Sequence, residues 1–338
     1  MELAISFIGT AGAVPTPSRG LSATLVQRGG DRFLVDCGEG TQRQLIRAAV
    51  GITQIQRILL THYHADHFFG LFGMFKTWQL WGRTEPVEIY GPRGLTEMMD
   101  MFRRLIGKTD FSQQWREVSP GQTLDFEGYQ IQAIATEHRI ASCGYLFVEN
   151  PRPGQFSPER ASALGIPAGP MFGTLQHGQT VVTPEGKEVR PDDVMGPSRG
   201  GRRIVITGDT RPCQAVVEAA RGADVLIHEA TFLGDDKERA QETSHSTAAE
   251  AAAVARAAGV RLLALTHLSF RHSSREVLAE ARGAFEPCVL PNDFDRIVVP
   301  FPEKGMPYLV KHGAQEDPAG LSPEASAAPP ARSDARRR

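Results

Sequence analysis

The chain has 338 residues, 41% of them hydrophobic, and a formal net charge of −2. That length allows one large domain or two ordinary ones, with enough apolar material for a sizeable core. Such a charge gives no global pull toward nucleic acid, so any RNA contact must come from local basic patches. No apolar run approaches the roughly 18–20 residues that span a membrane, and the first residues read as a strand and not as a secretion signal. Cys37, Cys143, Cys213 and Cys288 are scattered without a C-x-x-C pair. They suggest neither a zinc ribbon nor a disulfide framework, which fits a reducing cytoplasm.

Leu3, Ile5 and Phe7 alternate with small or polar residues, the pattern of a half-buried strand. Gly9 to Pro15 follows as a loop that either cradles a phosphate or simply turns the chain. Further strands are expected at 23–26 and 32–36, the second ending in Asp36-Cys37-Gly38-Glu39-Gly40 and feeding a helix over 42–49. Asp36 is either a carboxylate orienting a metal-bound histidine or a strand-end turn residue.

The apolar run Ile58-Leu59-Leu60 leads into Thr61-His62-Tyr63-His64-Ala65-Asp66-His67. Imidazole and carboxylate suit a divalent metal such as zinc without any thiolate. An extended His62-Tyr63-His64 points both rings to one side, because alternate side chains of an extended segment share a face. Asp66 and His67 lie just beyond, near the start of a buried helix, and can turn toward a second point. One ion is hardly within reach of all four, so the spacing suggests two metals side by side.

A strand at 87–90, a helix over 95–106 and strands near 115–118 and 129–134 lead to Thr136-Glu137-His138, with another strand at 144–148. From 150 to 201 glycine and proline recur and apolar periodicity fades, which predicts a projecting, largely irregular arm with one short helix at 158–164. The compact pattern resumes at Ile204-Val205-Ile206-Thr207-Gly208-Asp209. Strands ending in His228-Glu229 and in Thr266-His267 repeat the theme of a ligand delivered at a strand end. Thr247 caps an alanine-rich helix to about Ala258, and a helix at 274–281 and a strand at 297–299 close the core. Residues 313–338, rich in Ala, Pro, Ser and charge, read as a disordered tail.

The order of strands, histidine cluster, His138, Asp209 and His267 resembles the metallo-β-lactamase superfamily. The resemblance implies an α/β (α+β) fold, a four-layered αββα sandwich over residues 1–312 with the metals at one edge and a protruding arm. The finer likeness is to the ribonuclease Z family in its short form, the tRNA 3′-processing endonucleases. It is carried by Asp36 to Gly40, by the histidine signature, by His228-Glu229-Ala230-Thr231 and His245-Ser246-Thr247, and by Thr266-His267-Leu268-Ser269 with Arg271. Leu164 to Pro170 sits where the family's arm carries a Gly-Pro motif.

This likeness implies one zinc on His62, His64, His138 and Asp209, and a second on Asp66, His67, His267 and the same bridging Asp209. Asp66 would also accept the proton of the attacking water. His245 is the candidate proton donor to the leaving oxygen, with Glu229 orienting it and His228 a weaker candidate for the same cluster. Gly169, Pro170, Arg199, Arg202 and Arg203 are the candidate arm contacts to precursor tRNA. Where relatives often carry lysine after Gly-Pro, this chain has none from Met171 to Gln176, so the arm is only weakly basic. A cytoplasmic homodimer is expected. The rival readings are a hydrolase of small phosphodiesters or sulfate esters on the same fold and, from another class, a noncatalytic RNA-binding protein.

Overall fold

The computed structural model describes residues 1–313. The expected disordered tail therefore lies, from residue 314 onward, outside the described residues.

Two sheets face each other. The first contains β1 (Leu3–Gly9), β2 (Ala23–Arg28), β3 (Asp31–Val35), β4 (Arg57–Leu59), β5 (Val87–Gly91), β6 (Gln113–Glu117), β16 (Arg296–Val298) and β17 (Tyr308–Val310), in the order β17-β16-β1-β2-β3-β4-β5-β6. The second contains β7 (Thr123–Phe126), β8 (Tyr129–Ala135), β9 (Cys143–Glu149), β12 (Arg203–Ile206), β13 (Val225–Glu229), β14 (Leu262–Thr266) and β15 (Cys288–Val289), in the order β15-β14-β13-β12-β9-β8-β7. The remaining strands, β10 (Val181–Val182) and β11 (Glu188–Val189), pair with each other in the arm.

Strand alternation builds the layers. Leu3, Ile5 and Phe7 of β1 face Ile131, Phe147, Ile204 and Ile227 across the inter-sheet core. Side chains of opposite parity, such as Ile8, Leu25, Leu34 and Ile58, meet Leu45, Met74, Trp78 and Phe102 from the helices Thr41–Arg47, Gly70–Leu80 and Leu95–Ile106. On the far side Val205, Leu226 and Leu263 pack beneath Gln214–Ala219, Ala248–Ala258 and Ser274–Ala284. The result is the expected αββα sandwich.

The arm differs from its expected irregularity. Besides Pro158–Ala163 it carries helices Pro170–Gln176 and Pro191–Val194 and the β10–β11 hairpin. These enclose a small core of Ala161, Ile166, Leu175, Val181, Val189 and Val194. Each of the three helices begins on proline, which at a first helical position removes only an N–H that has no partner there and presets φ. Three of the prolines in this segment, Pro158, Pro170 and Pro191, are therefore helix starts. Gly169, just before Pro170, has φ 150° and ψ −151°, a backbone region essentially confined to glycine.

Strand direction separates the arm from the histidines. β3 and β4 are parallel, as are β12, β13 and β14, and β8 runs the same way as β12 because each is antiparallel to β9. Their C-terminal ends gather at one edge. The arm leaves after Glu149 and returns at Arg203, where Val148 pairs with Arg203, whereas Tyr145 pairs with Ile206 toward the histidine edge. At ~3.3 Å per residue the arm's root is roughly 20 Å from that edge. The arm therefore does not begin and end close to the candidate ligands.

Candidate metal centre

The turn after β3 places Asp36, with φ 60°, where its carboxylate accepts from the Thr61 N–H at 2.8 Å and from the Thr61 hydroxyl at 2.9 Å. This fixes the start of the histidine segment. His62 and His64 follow in extended backbone, and a short helix Ala65–Phe68 turns Asp66 and His67 inward. Cys143 N–H donates to Thr61 C=O at 2.9 Å and Tyr145 O–H to Leu60 C=O at 2.7 Å, joining the two sheets beneath the cluster.

Three overlapping sets of side chains converge, one of them Asp209, His245 and His267. His62, His64, His138 and Asp209 bring one ligand atom each within 4.8 Å of one another, and so do Asp66, His67 and His267. His62 Nε2 lies 3.0 Å from His64 Nδ1, and His138 Nε2 lies 3.2 Å from the same atom. His67 Nε2 and His267 Nε2 are 3.2 Å apart, and His267 Nε2 is 3.3 Å from Asp66 Oδ2. Asp209 stands between the sets, with Oδ2 3.6 Å from His62 Nε2 and 3.3 Å from His67 Nε2, and Oδ1 3.4 Å from His267 Nε2.

The outer nitrogens of the rings are already engaged. His62 Nδ1 faces the Thr61 hydroxyl at 3.0 Å, His67 Nδ1 donates to Asp36 at 2.7 Å, and His138 Nδ1 donates to Ser244 C=O at 3.0 Å. His267 Nδ1 donates to the Thr231 hydroxyl at 2.8 Å. Each of these rings therefore turns Nε2 inward, the tautomer and orientation that metal-binding histidines need. Asp36 thus sits in the turn at the end of β3 and at the same time holds the His67 ring, so both readings open to it from sequence fit its place. Thr231 and Ser244 were not singled out; Thr231, two residues past Glu229 in the His228–Thr231 element, carried the available signal.

Neighbouring ligands on a tetrahedral zinc with bonds of about 2.0–2.1 Å lie roughly 3.3 Å apart, close to the separations here. Asp209 Oδ1 is buried and accepts no hydrogen bond, a lack that a cation would relieve. Burial disfavours the Asp209 anion, yet His267 and His67 hold its carboxyl well below the usual range. His62 is pushed well below the ordinary imidazole value by burial and by His67, which keeps it in the neutral, ligating form. The donor set fits a divalent metal pair.

Beside the sets lies a second polar cluster. Glu229, fully buried, accepts from Thr210 N–H at 2.8 Å, Thr231 O–H at 2.6 Å and Ser246 N–H at 3.1 Å. It also accepts from His245 Nδ1 at 2.8 Å. Burial lowers the His245 pKa, but the charge and hydrogen bond of Glu229 outweigh it and push the ring up to about 9. The loop at Gly9 to Pro15 proves to be a brace. Ala13 N–H donates to Asp66 Oδ2 at 2.8 Å, and a Cβ on Gly12 would stand 2.6 Å from His267 Nδ1.

The model of the metallo-beta-lactamase superfamily matches residues 19–267. Ribonuclease Z of Methanosarcina acetivorans is 45% identical over 302 residues, 88% of this chain and 99% of the relative. Ribonuclease Z of Myxococcus xanthus is 45% identical over 287 residues, 84% of this chain and 93% of the relative. The chain belongs to the ribonuclease Z family. The crystal structure of human tRNase Z, short form, matches with a TM-score of 0.65 at 28% identity, over 88% of this chain and 99% of that one. Family membership makes the chain an endoribonuclease and disfavours both the small-ester hydrolase and the noncatalytic reading.

Other expected site residues of this ribonuclease Z chain lie elsewhere. Arg202 is 2% exposed, with its guanidinium 2.6 and 2.7 Å from Glu149 and bound to the carbonyls of Val299 and Met1. It cannot reach RNA, which corrects its place among the arm contacts. Arg203 is half-buried against Ala219 C=O, and Arg199 stands at the arm's root. Gly169 and Pro170 remain exposed on the arm. His228 lies on the face of β13 opposite Glu229, buried, with Nδ1 turned to the Glu229 C=O, and is no part of the Glu229–His245 cluster. Among the described residues, no helix is long and apolar enough to cross a membrane.

Proposed function

We propose that this ribonuclease Z family member is a zinc-dependent endoribonuclease that removes the 3′ trailer from precursor tRNA by two-metal activation of water. The observation that carries the reading is Asp209 standing within 3.3–3.6 Å of His62, His67 and His267, between two converging ligand sets, beside the pair of buried Glu229 and half-buried His245. His62, His64, His138 and Asp209 would hold one ion; Asp66, His67, His267 and the same Asp209 would hold the other. When bound, such a pair supplies positive charge for the phosphate oxygens and acidifies a water.

The chain's own groups do the rest. Asp66, held by Ala13 N–H, receives the proton of the attacking water. His245, fixed through Nδ1 by Glu229, has Nε2 left to donate a proton to the leaving oxygen. Residues 150–201 form the tRNA grip, with Gly169 and Pro170 on its outer part and Arg199 near its root.

A cytoplasmic homodimer fits this arrangement. Leu80, Trp81, Met101 and Leu105 are exposed on or beside two helices that pack together, a surface suited to a second copy. With each arm rooted about a strand length from its own ligands, a partner's arm could lie over them. The test is purified protein on a precursor tRNA across a metal series, with end-mapping of the products. One trailer released with zinc supports the reading; a metal-loaded protein that cleaves only small diesters would remove it.

A further inference from the structure

The two roots of the arm converge on one residue outside it. Arg152 and Arg199 pair through their backbones, N–H to C=O at 2.8 and 2.9 Å, closing the arm's stalk. Both guanidinium groups then turn to Glu303, which lies between β16 and β17. Arg152 meets it in bidentate fashion at 3.0 and 3.1 Å, and Arg199 binds Oε1 at 3.2 Å. Close by, Phe301 is sandwiched: Arg152 lies 3.4 Å from its ring centre and Arg202 4.1 Å. Arg202 is itself locked to Glu149 and to two main-chain carbonyls of the body.

A single exposed ion pair contributes little, but a bidentate pair shared with a second arginine and seated on an aromatic ring has defined geometry. Arg152, Arg199, Phe301 and Glu303 belong neither to the inter-sheet core cluster nor to the candidate ligand sets. What this network can fix is the direction in which the arm leaves the body. We propose that Glu303 is a positioning residue that sets the arm's angle and thereby the strength with which a large RNA is held. The proposal rests on the reading of the arm as the tRNA grip.

Glu303→Gln keeps the shape of the side chain and removes the charge. Its KM for precursor tRNA rises about three- to tenfold, the scale of one lost surface network, with kcat unchanged. Hydrolysis of bis(p-nitrophenyl) phosphate and the melting temperature stay at wild-type values. Arg152→Ala raises KM similarly, and the double variant is no worse than the stronger single one, because both act through one contact. Amides of the stalk, residues 150–154 and 197–201, exchange faster in either variant. A parallel fall in small-diester hydrolysis or a lower melting temperature would mean a merely structural role and would overturn the proposal. Unchanged KM in Glu303→Gln, with KM raised by deletion of the arm, overturns it and leaves the arm's role standing. Unchanged KM on deletion removes both.

Discussion

His245 Nδ1 lies 2.8 Å from Oε1 of Glu229, a carboxylate that no solvent reaches. The same Glu229 accepts from the Thr231 hydroxyl, whose oxygen receives Nδ1–H of His267. The candidate proton donor and a candidate ligand are therefore held by one hydrogen-bonded unit. His245→Ala should lower kcat roughly 10²–10⁴-fold, the usual contribution of a positioned acid, with metal content unchanged. Loss of metal, or an unchanged rate, would assign His245 another role.

The same pair sets a pH dependence. Glu229 keeps His245 protonated to about pH 9, and a proton donor works only while it carries its proton. The rate should fall as pH rises through that value. Glu229→Gln removes the charge that raises the pKa, so the alkaline limb should move to lower pH. A limb that stays in place would show that another group titrates there.

Asp66 faces His267 and His67 and takes Ala13 N–H. Asp66→Ala should abolish cleavage while weakening precursor tRNA binding far less, since the arm is untouched. Binding measured by gel shift beside single-turnover cleavage separates the two.

Asp36 tests the support beneath the centre. It orients His67 and anchors Thr61 from a backbone with φ 60°, a conformation asparagine also tolerates. Asp36→Asn should keep the fold and weaken metal affinity about 10–100-fold. Competition with a chromogenic chelator reads this directly.

Arg202 should behave as a stability residue. Its removal leaves buried Glu149 with Arg28 as its one charged partner, beside the retained N–H of residue 202, so Arg202→Ala should cost about 3 kcal/mol in denaturant unfolding. Equal stability with a raised KM for RNA would restore it to the substrate surface.

What sequence could convey divides along physical lines. The convergence of His62, Asp209 and His267 at one edge was legible because strands deliver their terminal residues to one side, and each of the three follows an apolar run. The αββα layering came from the resemblance to the metallo-β-lactamase superfamily, and the alternation along β1 agrees with it. Arg202 was not legible, because a buried arginine needs a partner, and Glu149 stands 53 residues away. The arm helices at Pro170–Gln176 and Pro191–Val194 were hidden because proline both stops helices and starts them. The distance between arm and metals depended on the antiparallel register of β9 with β12, which no local pattern encodes.

The central claim is that two ions shared through Asp209 cleave precursor tRNA. Titrating zinc into metal-stripped protein while following trailer release tests it most directly. Activity should climb to a plateau at two equivalents per chain, with a single mapped cut. Full activity at one equivalent, or no trailer release at any loading, would contradict the account.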